Sequence, residues 1–336
     1  MTKKIWTLAI LLILSFIITT NFPNRSQSSS RTTPEIAPIT LGYSNWVGWW
    51  LWEIADREDL FAKNGLDVRL EWFDNYTDSL VALATGRLDG NCQTLNDTIA
   101  RVEQAVFGEV VVLVNDNSVG NDKIIVAEDI QTIKDLEGRK VAVEEGVVDD
   151  FLLTLALEQH QMSRDNVELL NLETGAAVAA FSRGLADAVG AFPPFWLEAL
   201  EREGSHELIS SREFPGAIPD LLVVTQKLID EQPEQVRALV KTWFDILDFM
   251  ERNPKRAVEI ITNLVGITNE ELALFQSGVK LFDKDDNLLA FKKGNDMQSL
   301  NHASKRISKF YQEEIPLIEK EPNLDILLNS TFLPKS

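Results

Sequence analysis

From residue 39 onward, short apolar runs alternate with helix-like stretches, and the order of the two repeats. Residues 41–73 read LGYSNWVGWWLWEIADREDLFAKNGLDVRLEWF: a strand, a polar and aromatic turn at Ser44-Asn45-Trp46, an amphipathic helix, a Gly, and a second strand. Val68, Leu70 and Trp72 alternate with Arg69 and Glu71, the period-2 pattern of a half-buried strand. A helix over 79–85 is closed by Gly86, residues 88–93 return to strand, and Thr94-Leu95-Asn96-Asp97 opens the next helix. Residues 110–114 form a continuous apolar run, as expected of a strand covered on both faces. Beyond 125 the syntax restarts, with strands at 140–143, 167–170 and 186–191. Helices are expected over 151–158, from Thr174 to Gly184, and from Pro193-Pro194 to Glu203. ALATGRLDG ending at Gly90 and AFSRGLAD ending at Asp187 echo each other as helix end, Gly cap and strand entry.

This pattern predicts an α/β protein of two lobes, each a small, mostly parallel sheet with crossover helices. The expected division is a leader over 1–22, a linker over 23–38, lobe 1 over 39–125, lobe 2 over 126–222, and a mostly helical return to lobe 1 over 223–336. Residues 123–127 and 221–225 are expected to join the halves. The tail is expected to be helical over 233–252, 254–263, 268–278 and 295–311.

Lys3 and Lys4 precede an uncharged apolar stretch over 5–20, the pattern of a secretory signal. Residues 21–38 resemble a flexible tether and contain no Cys for lipid attachment. The expected location is therefore periplasmic, with the leader either cleaved or kept as an inner-membrane anchor. The formal net charge of −20, with no basic stripe, sets nucleic acid aside. A single Cys, Cys92, excludes an internal disulfide and is expected in the core.

In chain order, LFAKNGLDVRLEWF, ALATGRLDG, IKDLEGRKVAVEEG, LADAVGAFPPFW and LLVVTQKLIDEQPEQVRALVKTWFDIL resemble the periplasmic solute-binding proteins of ABC importers. The similar group is the nitrate, taurine, alkanesulfonate and thiamine-precursor binders. The resemblance implies a type II periplasmic binding protein that closes about a hinge on a small solute. Its implied partners are a membrane permease and its ATPase, and the isolated chain is expected to be a monomer. A sensor domain docking on a receptor would share this layout.

The acidic residues change the expected ligand. The turn after the first strand of lobe 2 reads EEGVVDD over 144–150, with four carboxylates and no hydroxyl, and Lys123 is the sole cation at a strand-end turn. An anion about 4 Å from one carboxylate is repelled by about 4 kcal/mol at an effective dielectric near 20. Unopposed, that weakens binding about a thousandfold. A small nitrogenous cation, guanidinium or an amine, is the expected solute, with taurine, alkanesulfonate, nitrate and a thiamine-precursor pyrimidine as alternatives.

Candidate ligand contacts are Ser44, Asn45, Trp46, Trp49, Asp74, Thr94, Asn96, Asp116, Glu145, Asp149, Pro194 and Trp196. The expected closed state holds solute between Trp46/Asp74 and Glu145/Trp196, with Trp46, Trp49 and Trp196 offering cation–π faces. Glu145 is favoured over Glu144, which points to the opposite face of an extended segment. Asp149 and Asp150 serve equally well as solvated first-turn acids. Trp50 and Trp72 read as core. His160, His206 and His302 show no metal-ligand spacing, and no P-loop, G-x-G-x-x-G or G-x-S-x-G motif occurs. No catalysis, cofactor or metal is expected.

Overall fold

The computed structural model describes residues 37–335, so the expected leader and nearly all of the tether lie outside the described residues. The strands are β1 (Ile39–Ser44), β2 (Val68–Phe73), β3 (Gly90–Thr94), β4 (Glu109–Ser118), β5 (Lys123–Val126), β6 (Lys140–Val143), β7 (Glu168–Asn171), β8 (Ala188–Ala191), β9 (His206–Ser210), β10 (Pro219–Thr225) and β11 (Val279–Leu281). They form a six-stranded sheet, β11-β4-β10-β3-β1-β2, and a five-stranded sheet, β7-β6-β8-β5-β9. In each, three parallel strands (β2-β1-β3 and β7-β6-β8) adjoin one antiparallel strand, β10 or β5.

The echoed fragments have a common physical basis. After the Gly86 and Gly184 caps, both at positive φ, an Asp enters the strand and clamps its neighbour. The Thr40 amide donates to Asp89 Oδ2 at 2.9 Å while the Asp89 amide donates to Thr40 O. Lys140 and Asp187 make the same pair, also at 2.9 Å. The two sheets are one local solution used twice.

The crossings differ from expectation. Residues 123–126 and 221–225 lie inside the sheets, as parts of β5 and β10, because their apolar side chains are buried on both faces. The chain passes between sheets at residues 119–122 and 211–218. Ser118 and Ser211 hydroxyls bond there at 2.7 Å, and the Gly120 amide donates to Ser211 Oγ at 2.8 Å.

The tail returns to the first sheet. The helix Pro233–Arg252 matches the expected bounds and lays Trp243 on Trp52, with ring centres 5.6 Å apart. Asn287, in the unanticipated helix Lys284–Ala290, brackets Val114 through both its backbone groups. Trp50, Trp52, Trp243 and Cys92 are fully buried. Trp72, expected in the core, is only half-buried, since β2 is an edge strand and its indole donates to Asp74. The helix Leu300–Glu313 packs on the helix Leu95–Arg101 and reaches the second lobe, where the Tyr311 hydroxyl donates to Gly146 O at 3.0 Å. No helix among the described residues is long and apolar enough to cross a membrane.

Candidate ligand-binding crevice

Ligands of open α/β sheets gather at the carboxyl ends of strands. Here β1 ends at Ser44, and the chain folds back at once: the Trp46 amide donates to Ser44 O, and the Trp49 and Trp50 amides donate to Trp46 O. That tight turn brings the indoles of Trp46 and Trp49 together, 6.2 Å between centres, and Trp49 onto Tyr76 at 5.3 Å. Asn45, Trp46, Trp49, Tyr76 and Thr94 face Val148 and Phe192 of the second lobe across a crevice of about 250 Å³, with Asp122 and Asp220 also lining it. The free space within it is about that of a single water.

Three buried polar atoms in this lining lack any partner among the described residues: Asp122 Oδ2, Asp220 Oδ2 and Trp49 Nε1. Buried polar groups are normally hydrogen-bonded, and an unpaired one costs about 1–3 kcal/mol. Two larger hollows of about 590 Å³ each hold only one such atom, Asn117 Nδ2 behind the crossing and Thr154 Oγ1 beside the helix Val148–Gln159. The crevice is thus where unmet polar capacity converges, although it is the smaller space.

Asp220 sits directly between Thr94 of β3 and Asp116 of β4 in the sheet register. Asp116 Oδ1 accepts the Trp46 indole N–H at 2.9 Å, which fixes that ring. Burial pushes Asp116 up to about 7, against hydrogen bonds from Trp46 and Asp220. Burial also pushes Asp122 up to about 7, and it drives Asp220 well above the carboxylate range, with Asp116 and Asp122 adding repulsion. Three of the nearby cations are engaged elsewhere. Lys123 pairs with Glu207 and lies 4.9 Å from the Trp196 ring centre, Arg101 reaches Asp97 at 3.5 Å, and Arg164 pairs with Asp150.

The model of the NMT1-like family matches residues 32–265, more than half of the chain. The chain belongs to the NMT1-like family. Among relatives, a candidate binding protein of Brucella abortus is 28% identical over 240 residues, 70% of this chain and 74% of that one. The taurine-binding periplasmic protein of Escherichia coli is 28% identical over 207 residues, 60% of this chain and 63% of that one. The periplasmic aliphatic sulphonate binding protein of E. coli superposes with TM-score 0.70 at 19% identity, covering 87% of this chain and 97% of that one. This NMT1-like chain therefore has the two-lobed fold of periplasmic binding proteins. The desulfurization enzyme DSZB shares the fold, with TM-score 0.62 at 14% identity, over 88% of this chain and 97% of that one.

Of the residues singled out from sequence, Asn45, Trp46, Trp49 and Thr94 line the crevice, and Asp116 stands behind Trp46. Ser44 is buried at the strand end with its hydroxyl unpartnered. Asn96 is buried against Tyr311, at 3.5 Å from its hydroxyl. Asp149 is buried rather than solvated, its Oδ2 accepting the Glu144 amide at 3.4 Å and its Oδ1 unpartnered.

Four expectations are corrected by geometry. Asp74 is exposed and holds the Trp72 indole at 2.8 Å. Glu145 points to solvent, held by Asn171 Nδ2 at 3.2 Å and Arg164 at 3.6 Å, because Gly146 at φ 77° turns the chain. Glu144 instead faces the first lobe, accepting the Thr77 hydroxyl at 2.6 Å. Trp196 packs edge-on to Phe275 with Lys123 over its face, so the protein itself supplies its cation, and Pro194 only precedes the helix Phe195–Leu200.

Tyr76, Asp122, Val148, Phe192 and Asp220 were missed. One signal was available for Asp220: it is a charged residue inside PDLLVVT, a strand buried along its whole length.

Proposed function

We propose that this chain is the substrate-binding subunit of an ABC importer, located in the periplasm, and that it captures a small organic cation such as guanidinium or an amine. One observation carries the ligand class. Asp122 and Asp220 each offer a buried oxygen with no partner among the described residues, in a crevice lined by Trp46, Trp49, Tyr76 and Phe192 and by no Lys or Arg. Aromatic faces attract a cation by about 0.5–2 kcal/mol each, and exclusion of water strengthens its pull toward a carboxylate. Val148 and Phe192 come from the lobe opposite Trp46 and Trp49, so a solute held on both sides favours the closed form.

A second reading has its own support. Trp49 Nε1 is a buried donor without an acceptor, and one relative is named for taurine, which carries both an ammonium and a sulfonate. A zwitterion would place its ammonium on Asp122 and Asp220 and its anionic end on the Trp49 indole.

Thermal shift with guanidinium, methylamine, taurine, methanesulfonate, nitrate and an aminopyrimidine at matched concentration separates these readings. A ligand at 100 times its Kd stabilises by about 2.7 kcal/mol, a shift of several degrees. Guanidinium or methylamine is expected to stabilise, and Asp220→Asn to weaken that binding at least about tenfold. Stabilisation by taurine alone favours the zwitterion. Stabilisation by methanesulfonate or nitrate, with none by the amines, refutes the cation.

A further inference from the structure

We propose that Asp116 and Asp220 hold one proton between them in the absence of solute, and that a cation docking beside Asp220 releases it, so that capture is coupled to proton release. The inference rests on the cation reading above.

The geometry comes first. Asp116 and Asp220 are cross-strand partners on β4 and β10, both buried, with Asp220 Oδ2 and Asp116 Oδ2 unpartnered. Directly opposed residues of antiparallel strands hold their Cβ atoms about 4.5–5.5 Å apart on one face, and two buried carboxyl groups at that range can meet only if one carries the proton. Asp116 cannot swing away, since its Oδ1 holds the Trp46 indole and its Oδ2 presses against the α-carbon of Gly48.

The charged and titratable groups around the pair do not replace that proton. Asp122 at the crossing and Asp97 on the helix Leu95–Arg101, themselves raised by burial, repel the pair further when ionised. Cys92 on β3 is a buried thiol held neutral. The Tyr76 hydroxyl donates to Asp97, which also has Arg101; Lys123 is turned to Glu207. Asp116, Asp220, Trp46, Gly48 and Cys92 all belong to the first sheet or the turn after β1, so the pair persists when the lobes part. Burial holds Asp220 high and Asp116 near 7, in keeping with a proton retained at neutral pH.

On binding, the proton passes to solvent or buffer, and the two carboxylates then face the cation. At saturating guanidinium the expected release is at least one proton per site at pH 6, because Asp122 is raised to about 7 beside the pair, and affinity rises about tenfold or more per pH unit from 5 to 7 before levelling. An anionic solute would require the opposite sign, proton uptake.

Two measurements test this on the full chain. Carboxyl carbon NMR of ligand-free protein follows Asp116 and Asp220 with pH, and both ionised at pH 6 overturns the shared proton. Calorimetry of guanidinium and methylamine binding in buffers of different ionisation enthalpy counts protons. Binding with no release and no pH dependence overturns the coupling and leaves the cation reading standing. Binding of methanesulfonate, with neither amine bound, overturns both. Asp116→Asn keeps an acceptor for Trp46 but removes the carboxyl that shares the proton, and is expected to lower the release and flatten its pH dependence; release and pH dependence at the wild-type level would assign the proton elsewhere.

Discussion

Gly48 leaves the space that Asp116 fills beneath the turn after β1. Its backbone, φ −72° and ψ −32°, is ordinary helical geometry that alanine adopts freely. By propensity alone Gly48→Ala would stabilise by up to about 1 kcal/mol. A Cβ at this position, however, would stand 2.6 Å from Asp116 Cγ and closer still to Oδ2. Asp116 is fully buried and cannot yield without losing the 2.9 Å bond from Trp46. Overpacking costs about 1–3 kcal/mol, and a broken hydrogen bond to a charged acceptor about 1.5–3 kcal/mol. The two overlap, because the same displacement causes both, and propensity offsets part, so the net expectation is a loss of roughly 2–4 kcal/mol. Urea unfolding followed by tryptophan fluorescence reads this as a lower midpoint at unchanged m. In an Asp116→Ser background the shorter side chain clears the Cβ, and Gly48→Ala should then cost less than about 1 kcal/mol, giving a coupling of about 2 kcal/mol. A neutral or stabilising Gly48→Ala in the wild-type background would refute the packing of Asp116 under the turn, and with it the fixed Trp46 wall.

Three further outcomes follow from the same geometry. Glu145→Gln should leave guanidinium affinity within about twofold, since the side chain is exposed and tied to Arg164 and Asn171; calorimetric titration checks it. Tyr311→Phe removes the hydroxyl that bridges to Gly146 O, and should weaken solute binding about fivefold through a closed form about 1 kcal/mol less stable, with a larger radius of gyration in solution scattering. Stability of the ligand-free protein should fall as pH rises from about 5 to 7. Asp116, Asp122 and Glu109 are each raised by burial to about 7, so the native state binds more protons than the unfolded chain in that window. Asp129, Asp135 and Glu271 are lowered and act only below their ordinary range, outside the window. A Tm that is flat or rising from pH 5 to 7 would contradict the burial of these acids.

Most of the architecture was legible because it rests on local chemistry. Gly caps at positive φ, Pro233 opening a helix, and Asp89 and Asp187 entering strands each act within a few residues, and the structure uses them as the pattern suggests. Elements whose existence depends on distant partners were less visible: β11 is three residues long and forms only because β4 offers it an edge. At the crevice, the turn after β1 is legible because its aromatic run stands at the carboxyl end of a strand, although Trp46, Trp49 and Trp50 are also buried in the core. Glu145 was misassigned because alternation of faces holds only while the chain stays extended, and Gly146 ends that one residue later. Asp122 and Asp220 are not legible from the turns between strand and helix. These two lie at a crossing and within a strand, positions that acquire meaning only once β10 is known to insert between β3 and β4.

The scaffold itself does not choose the sign of the ligand. Strand ends and backbone N–H groups are present in every copy of this fold and lean toward anions. Side chains brought in by β4, β10 and the crossing are what can reverse that bias, because a carboxylate at about 4 Å outweighs a helix terminus worth about 0.3–1 kcal/mol. Asp116, Asp122 and Asp220 lie on segments separated by about a hundred residues of the second lobe, yet the antiparallel insertion of β10 sets them side by side. Three substitutions there would restore an anion-tolerant floor without touching either hydrophobic core. The triple variant Asp116→Asn, Asp122→Asn, Asp220→Asn should therefore fold, lose guanidinium binding and gain affinity for methanesulfonate; a folded variant that still prefers the amine would show that the selectivity arises outside these carboxylates.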